Sequence, residues 1–341
     1  METLQVRAPG KLFLLGEYAV PDGCPAIIAA VEPGVRVRAK RNPFGQGIDV
    51  KAPQLGICVR LGYSECTPDQ NRGVVDFVAA CISALSSEER LRLPPGVEFE
   101  IRFSQFLGPT QKLGLGGSAA LVSAIVAALI EWCYGPGAAE ELRELVYQRA
   151  RAAHRLVQKG MGSGGDIAAS VFGGVILFEP ATSEQPVTPL EWPQGMCLLA
   201  CYSGHAASTT ALIEAYERAK RTKPAIHARF LQCSTQAVAA LASALQASRE
   251  VEGRWSQGAQ VLPTFAEKLG LPYLTPNLKT LLAVAHGQGV TAKPSGAGGG
   301  DCAIAVCSET KKQQLLRAWD ASGFLPLDLK PETQGVRCEQ G

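Results

Sequence analysis

Residues 112–120 read Lys-Leu-Gly-Leu-Gly-Gly-Ser-Ala-Ala and lead directly into an apolar run that reaches Trp132. Glycines let successive backbone N–H groups converge on an anion, because no Cβ blocks a close approach. A helix over 121–132 would add the partial positive charge of its N-terminus. The segment is therefore predicted to bind phosphate, with Ser118 as a helix cap or as a hydroxyl that faces a metal.

The same segment also matches the dinucleotide-binding pattern G-x-G-x-x-A through Gly114, Gly116 and Ala119. That pattern belongs in a tight strand–turn–helix unit with an acidic residue about 20 positions further on. Here a loop separates the alternating run 97–103 from Gly114, and the acidic residues at that distance, Glu140 and Glu141, begin a helix. A dinucleotide site is disfavoured, and no G-x-x-x-x-G-K-[ST] pattern supports an ordinary P-loop.

Two further glycine-rich segments lie downstream. Residues 160–166 read Gly-Met-Gly-Ser-Gly-Gly-Asp and open into an apolar run, so Asp166 taken alone could simply cap a helix. Residues 293–301 read Lys-Pro-Ser-Gly-Ala-Gly-Gly-Gly-Asp and lead into a buried strand over 303–307. So dense a glycine cluster beside a strand indicates a close approach of the backbone to a ligand or to another segment.

Composition places the chain among ordinary globular proteins. Its 341 residues suggest about two domains, and its net charge of +2 favours neither nucleic acid nor an anionic membrane as a partner. The N-terminal residues lack a secretory pattern, and the longest apolar run, 119–130, is too short to span a bilayer. Eleven cysteines without a C-x-x-C pair are expected to be reduced thiols in a cytoplasmic protein.

Hydrophobic patterning predicts an α+β protein with two lobes. Strands are expected in the first 40 residues, with clear alternation over 31–39, and again over 97–103. Further predicted strands and helices lie on either side of a proline-rich linker at 179–193. These are helices at 121–132, 138–158, 209–219, 226–248, 258–269 and 276–287, and strands at 171–178, 196–201 and 303–307.

Residues 8–20, Ala-Pro-Gly-Lys-Leu-Phe-Leu-Leu-Gly-Glu-Tyr-Ala-Val, complete a set of three motifs with 113–120 and 293–301. In order and spacing these motifs resemble those of the GHMP kinases, and the resemblance spans about residues 6 to 307. It implies an ATP-dependent phosphotransferase with a two-lobed α+β fold. The lobes would be a ribosomal-protein-S5-like ATP-binding domain at 1–190 and a ferredoxin-like domain at 191–341.

Within that superfamily the chain looks most like the phosphomevalonate kinases. It has Glu17-Tyr18 in the first motif, and His154 and Gln158 where mevalonate kinases place a metal-binding carboxylate. The resemblance implies transfer of the γ-phosphoryl of ATP to (R)-5-phosphomevalonate, which gives 5-diphosphomevalonate for isoprenoid synthesis. The alternatives are a mevalonate kinase with an alcohol acceptor and a non-catalytic ligand sensor. Retention of Lys11, Ser118 and Asp166 favours an enzyme.

The resemblance also implies roles for individual residues. Lys11 and Asp166 would be catalytic, and Mg²⁺ would bind Ser118, phosphate and water. Gly117 stands where the family usually has serine, and His154 is interpreted as an ordinary helix residue. The implied ATP-binding residues are Lys112, Gly114, Leu115, Gly116, Gly117, Ser118 and Ala119. The implied substrate-binding residues are Lys11, Tyr18, Ser163, Gly164, Ser208, Lys293, Gly298 and Gly299. A monomer or a homodimer is expected.

Overall fold

Two long antiparallel strands form the centre of the first sheet. The computed structural model describes residues 3–42, 45–69, 71–104, 113–160, 162–180, 186–207 and 209–339. In it β1 (Thr3–Leu15) pairs with β2 (Ala26–Arg41), and the register shifts between Pro9 and Gly10. This irregularity re-aims the strand just before Lys11. The other strands of this sheet are β3 (Gly47–Ala52), β4 (Ile57–Leu61), β5 (Gly96–Phe103), β6 (Val175–Phe178), β7 (Val187–Leu190) and β12 (Arg337–Glu339).

The sheet has the order β12-β1-β2-β5-β3-β4, and β6 joins β2 and β7. On β2, Val35, Val37 and Ala39 are buried while Arg36 and Arg38 are exposed, as the alternation predicts. Helices cover the buried face. They are α1 (Val74–Ser83), α2 (Ser87–Leu91), α3 (Gly117–Tyr134), α4 (Ala138–Glu141), α5 (Arg143–Val157) and α6 (Gly165–Phe172).

Helix α3 forms the core of this lobe. Every residue from Ala119 to Cys133 is buried, and the helix packs on β1, β2, α5 and α6. Within the described part of the chain it is the one helix long and apolar enough to cross a membrane, but 83% of that window is buried inside the fold. Its apolar character is therefore explained by packing on all sides.

The second sheet is antiparallel and has the order β11-β8-β10-β9. Its strands are β8 (Met196–Tyr202), β9 (Ala292–Pro294), β10 (Cys302–Ser308) and β11 (Leu325–Leu329). On β10, Ile304 contributes to the large core of the first lobe, whereas Ala305 packs in a second core with Trp319. Both faces are thus covered, which explains the continuous apolar runs. The accompanying helices are α7 (Thr209–Thr222), α8 (Pro224–Gln246), α9 (Val251–Ala259), α10 (Val261–Leu269), α11 (Pro276–Gly287) and α12 (Glu309–Ala321).

The α+β fold is confirmed, with local differences. The predicted strand 171–178 is wrong at its start, because Val171 and Phe172 end α6 and the strand begins at Val175. Gly173, at φ 76°, donates its N–H to Ala169 O and closes the helix. The predicted linker contains β7, while 181–185 lie outside the described residues. The domain boundary at 190 stays a prediction, and β12, which lies beyond it, pairs with β1.

All eleven cysteines lie within the described residues and are free thiols, as predicted. Most are buried in the two cores. Burial raises the pKa of Cys66 and of Cys133 to about 11, so these thiols stay protonated near neutral pH. They act as small apolar side chains in the packing.

Candidate active site

The predicted phosphate-binding segment, 113–120, is held by apolar anchors and left-handed glycines. Leu113 and Leu115 are buried, while Gly114 and Gly116 have φ values of 78° and 82°. The alternation turns the leucines into the core and keeps the glycine backbone at the surface of the turn. Helix α3 begins at Gly117 without a side-chain cap, so its first N–H groups remain available for an anion.

Lys11 lies directly across this loop. Its backbone N–H donates to Leu115 O at 2.8 Å, which fixes the loop against β1. A Cβ added to Gly116 would come within 2.7 Å of Lys11 Cγ, so the lysine side chain extends over the glycine. The structure therefore brings the first and second motifs together and places an ammonium beside the start of α3.

The third glycine segment closes on the same loop. A Cβ on Gly114 would lie 2.5 Å from Asp301 Cβ, and the Cys302 thiol donates to Leu113 O at 3.2 Å. Gly298 packs so tightly on Tyr273 that a Cβ would lie 2.2 Å from the tyrosine ring. This contact within the protein is enough to explain why the position requires glycine. Whether Gly298 and Gly299 also shape the substrate pocket stays a prediction.

Asp166 occupies the first turn of α6. Its Oδ1 accepts the N–H of Ile167 at 2.9 Å, as a helix-start carboxylate does, and its side chain is 24% exposed. Its Oδ2 lies 3.8 Å from His154 Nδ1. Among the described residues Asp166 makes no ion pair with Lys11, so the predicted orientation of Lys11 by Asp166 stays a prediction.

His154 lies between Ser118 at the start of α3 and Asp166 at the start of α6. It is buried at 3% exposure, with Nε2 3.3 Å from Ser118 Oγ, and its ring stacks on Phe77. The Gln158 amide nitrogen lies 3.2 Å from the same ring nitrogen. These contacts assign no function to His154, so its interpretation as an ordinary helix residue stays a prediction. Sequence patterning did not reveal the contact with Ser118, because that residue is 36 positions away and the neighbours of His154 on α5 are apolar.

Lys293 is buried and already paired. Its Nζ lies 2.5 Å from Glu17 Oε1, and the two side chains are 1% and 5% exposed. Burial lowers the pKa of Lys293 and raises that of Glu17, because burial penalises both charges. Glu17 also accepts the N–H of Gly296 at 3.3 Å. The predicted contact between Lys293 and substrate stays untested, and in the structure this ammonium links the first motif to the third.

A cavity of about 600 Å³ lies beside the loop that carries Asp166. Predicted substrate residues Tyr18 and Ser163 line it, and so do Arg151 and Arg155, which sequence reasoning missed. A Cβ on Gly164 would lie 3.0 Å from Arg151 Cδ, so the arginine packs against the loop. The signal was available, since two arginines four apart on a helix share one face.

Two buried polar atoms near this cavity lack a hydrogen-bond partner among the described residues. They are Nε of Arg151 and the hydroxyl of Tyr147, which is 2% exposed. The charges of Arg151 and Asp166 both act on the Tyr147 hydroxyl, so the three groups are close neighbours. Burial raises the pKa of Tyr147 to about 12, and the hydroxyl stays a donor near neutral pH. The arrangement suits an anionic ligand.

Two of the predicted site residues, Lys112 and Ser208, lie outside the described residues. The others fall into three groups. The first group, Lys11 and residues 114–119, surrounds the start of α3. The second group borders the cavity or its loop and consists of Asp166, Ser163, Gly164 and Tyr18. The third group lies in the third glycine segment and consists of Lys293, Gly298 and Gly299.

Comparisons with known proteins identify the family and the fold. The family model for the GHMP kinases N terminal domain matches residues 76–174, and that for the GHMP kinases C terminal matches 239–324. Phosphomevalonate kinase of Streptomyces sp. (strain CL190) is 30% identical and covers 98% of each chain. Mevalonate kinase of Thermococcus gammatolerans is 28% identical over 98% of this chain and 97% of its own.

Among solved structures, the chain is similar to Streptococcus pneumoniae phosphomevalonate kinase in complex with phosphomevalonate and AMPPNP. The TM-score is 0.77 at 20% identity, with 96% of this chain and 99% of that chain covered. At this identity the likeness shows a shared fold.

Proposed function

Because the chain belongs to the GHMP kinases and is an ATP-dependent kinase of the mevalonate-pathway type, we propose that its acceptor is phosphomevalonate. The product would be 5-diphosphomevalonate. The 30% identical relative that matches along almost the whole chain supports this acceptor. The mevalonate kinases among the relatives make an alcohol acceptor the second candidate.

The observation that carries the proposal is the arginine pair in the cavity beside Asp166. A phosphate acceptor brings a second multiply charged group next to the phosphates of ATP, and that charge must be neutralised. Arg151 and Arg155 supply two cations on the acceptor side, while Lys11 supplies one on the nucleotide side. An alcohol acceptor would need no such pair at its reacting end.

The transfer would use positioning more than proton removal. The second pKa of a phosphate is about 6, so the nucleophilic oxygen is largely ionised near neutral pH. The loop amides and the α3 N-terminus would hold the ATP phosphates, and Lys11 would lie between donor and acceptor. Asp166 would help to orient these groups and would accept any remaining proton.

Magnesium would accompany ATP. Within the described ranges no group of three or more His, Cys, Asp or Glu side chains is arranged to hold a metal. Ser118 Oγ at the start of α3 can supply one oxygen ligand, and phosphates and water suit the remaining positions of this ion. The residues therefore fit Mg²⁺ that arrives with the nucleotide and neutralises its phosphate oxygens.

The direct test offers ATP with either phosphomevalonate or mevalonate to the purified protein and measures ADP release. Phosphorus NMR of the product then identifies a diphosphate or a monophosphate. We expect kcat/KM for phosphomevalonate to exceed that for mevalonate by at least about tenfold, because each lost charge-assisted contact is worth about 1.5–3 kcal/mol. Turnover of mevalonate alone would refute the proposed acceptor.

A second arm tests the arginine pair. Arg151→Ala should raise KM for phosphomevalonate about 10- to 100-fold, since hydrogen bonds to charged groups contribute about 1.5–3 kcal/mol. Arg229→Ala, which removes an exposed arginine from α8, serves as the matched control and should leave KM unchanged. An unchanged KM in R151A would remove the main support for a phosphate acceptor.

A further inference from the structure

We propose that His154 is a positioning residue that couples the nucleotide loop to Asp166 through one imidazole ring. The inference rests on the proposed roles of Ser118 and Asp166, but not on which acceptor is used. The ring is buried on α5, with Ser118 at one nitrogen and Asp166 on the side of the other.

The partners of the ring select one tautomer. The Gln158 amide group donates, so His154 Nε2, at 3.2 Å from the amide nitrogen, must accept. The Asp166 carboxylate, 3.8 Å from Nδ1, favours a proton on that nitrogen. The tautomer that fits these partners carries its proton on Nδ1 and offers Nε2 as an acceptor.

This tautomer fixes the Ser118 hydroxyl. With Nε2 unprotonated at 3.3 Å, the Ser118 O–H shares this one acceptor with the Gln158 N–H, and the lone pairs of the serine oxygen remain free for the nucleotide side. The hydroxyl lies in the first turn of α3, where the ATP phosphates would bind. A change at Asp166 that moved the ring would thus also change the orientation of Ser118.

Gln158 extends the network to the glycine loop. While its nitrogen faces His154, its Oε1 would lie 2.9 Å from a Cβ built on Gly162. Gly162 has a φ of 103° and lies four residues before Asp166. Any side chain at Gly162 would displace Gln158, so the loop, the amide and the ring are packed as one unit.

Two substitutions, each of which keeps a polar atom near only one of the two ring nitrogens, separate the contact with Ser118 from the contact with Asp166. His154→Asn keeps an N–H near the position of Nδ1 and removes Nε2, so KM for MgATP should rise about 3- to 10-fold with kcat within about twofold. His154→Gln keeps an acceptor near the position of Nε2 and removes Nδ1. Here kcat should fall about 3- to 10-fold while KM for MgATP stays near the wild-type value.

Nitrogen-15 NMR of histidine-labelled protein supplies a readout independent of turnover. The chain has four histidines, so the His154 signals can be assigned by their loss in the variants. We expect a protonated Nδ1 and an unprotonated Nε2 for His154 in the absence of nucleotide. The opposite tautomer would overturn the proposal.

Controls separate this inference from the proposed function. Val146→Ala removes a buried apolar side chain from the same helix and should lower stability without changing either kinetic parameter. Ser118→Ala should raise KM for MgATP, and Asp166→Asn should lower kcat. If these two variants show no effect, the proposed site roles fail. If they behave as expected while His154→Asn and His154→Gln change both parameters equally, or neither, only the coupling role of His154 is refuted.

Discussion

At the residue scale, Lys11 offers the sharpest test of the reaction centre. Lys11→Met keeps an unbranched side chain over Gly116, one atom shorter than lysine, but removes its charge. We expect kcat to fall about 10²- to 10³-fold, the usual cost of one lost group that stabilises transition-state charge. Steady-state kinetics measures this, and circular dichroism should show an intact fold.

Lys51→Met is the matched control for that substitution. Lys51 lies on β3, where it pairs with Glu98 at the surface of the sheet. Its loss should leave kcat unchanged, because exposed pairs contribute little to stability and neither Lys51 nor Glu98 lines the cavity. Equal losses in K11M and K51M would assign the effect to net charge and not to a role of Lys11.

The glycine motifs and Lys11 could be predicted from the sequence, because their chemistry is local and their spacing is distinctive. The four-residue spacing of Arg151 and Arg155 can be read from the sequence, but their contacts and those of His154 cannot, because the partners come from other segments. His154 meets Ser118 only through the packing of α5 on α3, and Arg151 meets Gly164 across a turn. Tertiary contacts of this kind leave no periodic signal in the chain.

At the element scale, two glycines at opposite ends of α3 form a natural pair for mutation. Gly116 and Gly135 both have left-handed φ values, 82° and 104°. Either residue changed to alanine should lose about 1 kcal/mol of folding stability. Only Gly116→Ala places its Cβ within 2.7 Å of Lys11 Cγ, whereas Gly135 has no heavy atom within 4 Å of that position.

Gly116→Ala should therefore also raise KM for MgATP about tenfold, since the loop amides and Lys11 would shift together. Gly135→Ala should leave the kinetics unchanged. Urea unfolding and steady-state assays on both variants distinguish the two effects. If KM rose equally in both, general destabilisation would explain the result.

Glu89 makes the packing of α2 sensitive to acid. Its side chain is 1% exposed and accepts from the Ser86 N–H and from Arg149. Burial alone would raise the pKa of this carboxyl, but these hydrogen bonds and the Arg149 charge hold it below its usual 4.5. A lowered folded-state pKa gives stability that is present above about 4.5 and is lost as pH falls through the folded value.

Glu89→Gln should thus be less stable than the wild type near neutral pH, and the difference should shrink as pH falls below about 4.5. Urea unfolding at several pH values checks this. Glu88→Gln, an exposed neighbour in the same turn, should show no such convergence. A difference between wild type and E89Q that stayed constant with pH would contradict the assignment.

The boundaries predicted from the sequence agree with the structure where local caps and alternation determine them. They are wrong where a neighbouring segment determines whether residues form a helix or a strand. Val171 reads as the start of a strand, yet α6 continues through it to the left-handed Gly173. Residues 187–190 read as part of a linker, yet β6 supplies a partner that makes them a strand. β-propensity is weak against such context.

At the scale of the whole molecule, the Glu17–Lys293 pair ties the two sheets. Glu17 follows β1 and Lys293 lies in β9. Glu17→Gln would leave a buried ammonium without a counter-charge, and we expect a loss of about 3–5 kcal/mol in the free energy of unfolding. The double variant Glu17→Gln with Lys293→Met should recover most of this loss, because neither charge then remains buried. Equal stability of E17Q and the wild type in urea would contradict the prediction.

The pairing of β12 with β1 affects folding during synthesis, because β12 is made long after β1. The C-terminal strand β12 pairs with β1, and Gln5 and Glu339 are partners in that ladder. While a ribosome is still producing the second lobe, this edge of β1 has exposed N–H and C=O groups and no strand beside it. Nascent chains stalled before residue 337 would therefore carry an open edge, which is the part of the growing protein that chaperones would have most reason to shield.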